Sequence, residues 1–110
     1  MSNLGYVTQT GEDTYKGELS GLLNFRSRIE LRPLRDQQTP NAPEMEVVTD
    51  AGVQIGTARV RTSKKSGGAY VNVAIKHPQI TQGNGPIFAN LGPANDVDNE
   101  DGKVFAIIAN

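Results

Sequence analysis

The sequence contains no cysteine and no tryptophan, has one histidine, and has no apolar run longer than the six residues from Val104 to Ala109. Without cysteine there is no disulfide, no thiolate metal site and no thiol nucleophile. A membrane-spanning helix needs about 20 apolar residues, so none is expected. The opening Met1-Ser2-Asn3-Leu4-Gly5 has neither a basic region nor an apolar core. A secretory signal and a transit peptide are therefore not expected, and the expected compartment is a reducing, bacterial-type cytoplasm. The 3.6-residue apolar period of an amphipathic helix is also missing.

The 110 residues, 36% hydrophobic and 21% charged, are the size and composition of one domain spanning 1–110. Twelve glycines and six prolines point to many turns. No linker, low-complexity tract or internal repeat is visible. Net charge is -1, yet its distribution is uneven. Residues 51–95 hold Arg59, Arg61, Lys64, Lys65 and Lys76 with no acid, whereas Asp96, Asp98, Glu100 and Asp101 follow directly. Residues 26–35 hold Arg26, Arg28, Arg32 and Arg35 against Glu30. A near-neutral chain can thus carry a basic face and an acidic loop.

Where a period is visible, it is two. In Phe25–Arg32 the residues at 25, 29 and 31 are apolar and those at 26, 28, 30 and 32 are charged. That alternation fits a half-buried strand, which Pro33 ends by lacking an amide hydrogen. Segments 53–62 and 69–76 flank the basic, glycine-ended loop Ser63–Gly68 and read as a hairpin. The register that keeps the apolar faces together sets Val60 opposite Val71 and Ala58 opposite Val73. It also sets Arg61 opposite Tyr70 and Arg59 opposite Asn72. Val53 and Ile55 have the wrong parity for that face, which predicts a β-bulge at Gly56.

Further strands are expected over 4–9, 15–19, 44–49, 87–91 and 103–110, with loops over 36–43 and 92–102, a turn over 82–86, and at most one helical turn within 19–24. The expected fold is all-β, a small antiparallel barrel or sandwich of seven or eight strands with little or no helix. Both faces of the last strand are apolar, so it is either central in a core or completed by a partner.

The order of elements resembles the uncharacterised DUF736 family of short bacterial proteins. The resemblance rests on Leu4-Gly5-Tyr6, on Tyr15-Lys16-Gly17-Glu18-Leu19 leading to Leu22 and Leu23, and on Asn41-Ala42-Pro43. It continues through Val53-Gln54-Ile55-Gly56, Tyr70-Val71-Asn72-Val73 and Pro86-Ile87-Phe88-Ala89-Asn90-Leu91. Val60 stands where the family usually has an aromatic, often Trp, and Ile107-Ile108-Ala109-Asn110 replaces its aromatic-basic tail. The resemblance implies a bacterial origin, often on plasmids, integrative elements or phage-like DNA. It implies no activity and no catalytic residues.

The chemistry-bearing motifs are sparse. His77 precedes Pro78 at a strand end and reads as a solvated surface residue, with no nucleophile spaced to use it. Gly83-Asn84-Gly85-Pro86 lacks the lysine and following helix of a phosphate loop. Asp96–Gly102 has the wrong glycine and glutamate spacing for an EF-hand, so neither metal nor cofactor is expected. The basic strand faces are the leading functional feature. Arg59, Arg61, Tyr70, Asn72 and Lys76 share one hairpin face, Lys64 and Lys65 form its tip, and Arg26, Arg28 and Arg32 share a face of another strand. Guanidinium groups beside aromatic rings on a sheet suit single-stranded nucleic acid. A solvated polar sheet face with Arg–Tyr pairs gives the same pattern. The expectation is a non-enzymatic binding module of a bacterial mobile element or phage. It would bind single-stranded nucleic acid or another polyanion through Arg59, Arg61, Lys64, Lys65, Tyr70, Asn72, Lys76, Arg26, Arg28 and Arg32. The alternative is an interaction or assembly protein, either a phage component or an inhibitor of a host complex, with a protein partner or homodimer formed through the C-terminal strand.

Overall fold

The computed structural model describes residues 3–11, 14–22, 25–34, 45–65, 67–83, 85–94 and 103–109. The expected loop 36–43 and the acidic run from Asp96 lie outside these residues. Among the described residues eight strands form: β1 (Asn3–Gln9), β2 (Tyr15–Leu22), β3 (Phe25–Pro33), β4 (Met45–Thr49), β5 (Gln54–Thr62), β6 (Ala69–Ile75), β7 (Ile87–Pro93) and β8 (Val104–Ala109). Each is antiparallel to the next, and β8 returns to β1 to close a barrel. Of the two all-β alternatives, the barrel is the one observed.

The period-two pattern explains the core. Val7, Leu19, Leu31, Val47, Ile75 and Ile107 point inward and are fully buried. In an eight-stranded barrel such side chains fill the interior. Tyr15 and Phe105 close one end with rings 5.8 Å apart, edge to face. Among the described residues no helix is long and apolar enough to cross a membrane.

The β5–β6 register is the one the sequence predicts: Ala58 pairs with Val73, Arg59 with Asn72, Val60 with Val71 and Arg61 with Tyr70. Val60 nevertheless stays 43% exposed. The bulge forms as well, against β4, where the register passes from Val48–Gln54 to Val47–Gly56. Ile55 is the extra residue, so Ile55 and Ala58 are both buried.

Two local features complete the layout. Within the segment 19–24, residues 19–22 continue β2, with Leu22 paired to Phe25, and residues 23–24 lie outside the described residues. A one-turn helix α1 (Pro78–Thr81) follows β6. Proline at its first turn has a preset φ and no amide to lose. Half-buried His77 is its N-cap, accepting a hydrogen bond from the Gln79 amide at Nδ1 over 3.2 Å.

The partner lattice also repeats. Val7–Gly17–Ile29–Thr49 run across β1 to β4, and Ala58–Val73–Ala89–Ala109 run the same way across β5 to β8. The β5 bulge has its counterpart in β1, where Ile108–Asn3 passes to Ile107–Gly5 and Leu4 is extra. Gly5 corresponds to Gly56, and Pro33 at the end of β3 to Pro93 at the end of β7. A Cβ at Gly5, where φ is +151°, would sit 2.0 Å from the Glu18 carbonyl oxygen. One at Gly56 would sit 2.1 Å from that of Ala74. Both bulges therefore require the next strand's backbone to press against a bare Cα. The repeat escapes sequence inspection because equivalent positions share register and parity, with little identity beyond Gly5/Gly56, Leu31/Leu91 and Pro33/Pro93.

Candidate nucleic-acid interface

Ten side chains form the expected basic site, and the barrel divides them between two walls. Arg26, Arg28 and Arg32 point outward from β3, beside β2 and β4. There the neighbouring strands supply carboxylates. Arg26 Nε donates to Glu18 Oε1 at 2.7 Å, Arg32 Nε donates to Glu46 Oε1 at 2.7 Å, and Lys16 Nζ lies 3.8 Å from Glu30. Lys16–Glu30 and Arg32–Glu46 are direct cross-strand partners. Arg28 is exposed and, among the described residues, has no ion pair.

A groove of about 690 Å³ crosses this wall, lined by Tyr6, Lys16, Glu18, Arg28, Glu30, Arg32 and Asp50. Its charged lining balances, with three cations against three carboxylates. Val48, an outward residue only 3% exposed, also lines it.

Arg59, Arg61, Asn72 and Lys76 come together on the opposite half of the barrel. They line a smaller groove of about 130 Å³ over β5, β6 and β7, with Thr57, Ala74 and Phe88. Tyr70 stands opposite Arg61 on the same outer face. Lys64 and Lys65 are exposed at the β5–β6 tip, which Ser63 closes by hydrogen bonding with Gly68 and Gly67. Asn72 Nδ2 donates to Asn90 Oδ1 at 2.9 Å and to the Ala89 carbonyl at 3.3 Å. These bonds lock an amide pair flat across β6 and β7. None of Arg59, Arg61, Lys64, Lys65 and Lys76 has an ion pair among the described residues.

Sequence reasoning missed Phe88. It is 49% exposed and lies in this groove, directly opposite Ala74. Ile87, Ala89 and Leu91 around it are also apolar, so alternation alone did not mark position 88 as outward. The register of β7 on β6 does.

Among the described residues no three His, Asp or Glu side chains gather where they could hold a metal ion. Residues 3–107 match the family described as "Protein of unknown function (DUF736)". The chain belongs to the DUF736 family. No curated protein and no solved structure matches it. Of the two walls of this DUF736 barrel, one is internally neutralised and the other presents cations with no ion pair among the described residues around an exposed ring.

Proposed function

We propose that this DUF736 barrel is a non-enzymatic binding module whose β5–β6–β7 wall takes a polyanion, with single-stranded nucleic acid as the ligand. The observation that supports it most is the set of five cations, Arg59, Arg61, Lys64, Lys65 and Lys76, on one wall and its hairpin tip, with no ion pair among the described residues. Guanidinium and ammonium groups left unpaired in this way are available to phosphates. Arg26 and Arg32 drop out of the proposed site, because Glu18 and Glu46 already hold them.

Anisotropy of a labelled oligonucleotide at about 50 and 200 mM salt tests the reading. Affinity is expected to fall with a log–log slope of roughly -0.7 per phosphate contacted. Arg59→Glu with Arg61→Glu is expected to abolish binding while the circular dichroism spectrum stays unchanged, since both side chains lie outside the barrel. No binding at the lower salt by folded protein defeats the reading and favours a protein partner. Such a partner would have to meet the outer face of β8, since both edges of that strand are already paired.

A further inference from the structure

We infer that Phe88 is a nucleobase-stacking platform, so that this wall selects strands with unpaired bases over duplexes and over polyanions without bases. The inference rests on the proposed function and names the ligand class for the same groove. Burying an aromatic ring contributes heavily to interface energy, so a phenyl ring half exposed to water offers a ligand apolar area to cover. Among the described residues, Phe88 is one of three large apolar side chains that are substantially exposed, and the one of these with a ring. Its cross-strand partner Ala74 has only a methyl group, too small to cover that ring.

The chemistry of the surroundings identifies what covers it. Arg59, Arg61 and Lys76 share the groove with Phe88, and no carboxylate lines it among the described residues. An apolar protein partner would have to bury these charges, whereas a nucleotide satisfies both needs, with phosphate on the cations and base on the ring. Tyr70 provides a second ring on the same face. It lies four residues along β6 from the partner of Phe88, about 14 Å away by strand geometry. Arg59 and Asn72 sit between the two rings, so a single strand crossing the wall meets ring, cation and ring in turn. The stacked interior of a duplex cannot reach either ring.

The test uses the whole chain and four probes: a labelled oligothymidine, an abasic strand of equal length, a duplex, and inorganic polyphosphate as competitor. Oligothymidine is expected to bind at least tenfold tighter than the abasic strand. Phe88→Ala is expected to cost about 5- to 150-fold on oligothymidine, and little on the abasic strand. Phe88→Tyr, which keeps a ring, is expected to bind like the parent. Equal affinity for oligothymidine, abasic strand and polyphosphate overturns the base platform and leaves the polyanion reading standing. An equal loss on both strands in Phe88→Ala, or no loss on either, does the same. Failure of every probe to bind, or indifference to Arg59→Glu with Arg61→Glu, overturns the polyanion reading itself.

Discussion

The β2–β3–β4 wall and the β6–β7–β8 wall occupy equivalent places in the repeated register. At the three positions where the first carries Glu18, Glu30 and Glu46, the second carries Ala74, Asn90 and Ala106. Each glutamate of the first wall engages a cation of a neighbouring strand. Their counterparts in the second half have no charge to offer, so the arginines that β5 contributes remain open to solvent ligands. Arg28 in the wide groove is matched by Phe88 in the narrow one. Local density of basic residues therefore says little about which cations are left without an ion pair. The decisive variable is whether the next strand brings a carboxylate to the same row.

That contrast can be broken at four levels. The largest effect is expected at the twin bulges, one in each half. Gly5→Ala and Gly56→Ala each push a methyl group into a neighbouring carbonyl oxygen. Each is expected to cost about 3 kcal/mol or more in urea unfolding. A cost under about 1 kcal/mol at either glycine would mean that the repeated kink is not what shapes the walls.

Grafting the first wall's carboxylates onto the second comes next. Ala74→Glu with Asn90→Glu is expected to reduce oligonucleotide affinity at least tenfold, about 1.4 kcal/mol. Thermal melts of the same protein check that the barrel persists. The reverse experiment, Glu18→Gln with Glu46→Gln, frees Arg26 and Arg32. It is expected to steepen the salt slope by roughly 0.7 for each added phosphate contact. An unchanged slope would show that the geometry of the β3 wall, and not only its charge, rejects a strand. The smallest effect is expected from the ion pair itself. A double-mutant cycle on Arg32 and Glu46 is expected to give about 0.2–1 kcal/mol, because the arginine is well exposed and salt screens the pair.

Much of the strand layout was legible in the sequence because one face of each strand is buried and alternation records that face. The β5–β6 register and the bulge at Ile55-Gly56 follow from parity alone, since a slip by one residue would expose Ala58 and Val73. The end of β3 at Pro33 follows from a missing donor. What was not legible depends on partners far apart in sequence. Phe25–Arg32 shows three arginines against one glutamate, and nothing in that stretch shows that Glu18 and Glu46 will flank it. Apolar residues on both faces of β8 left open whether it is central or completed by a partner; the pairing with β1 places it inside a closed wall. Helix α1 is one turn long, too short for any period to reveal. Within the candidate site, the Arg59–Asn72 and Arg61–Tyr70 pairs were readable, whereas Phe88 was hidden among apolar neighbours.

Closure by β1 and β8 also has a consequence in time. Seven of the eight strand pairings join neighbours in the chain and can form as the chain grows, but the eighth, between Asn3–Gln9 and Val104–Ala109, must wait for the last strand. Until then β1 and β7 are both open edges, each able to template pairing with another chain. Long-range pairing of this kind slows folding, because loop entropy is lost before the contacts compensate for it. The seam between β1 and β8 is thus where a ribosome-bound or partly opened molecule is most exposed to a neighbouring copy of itself.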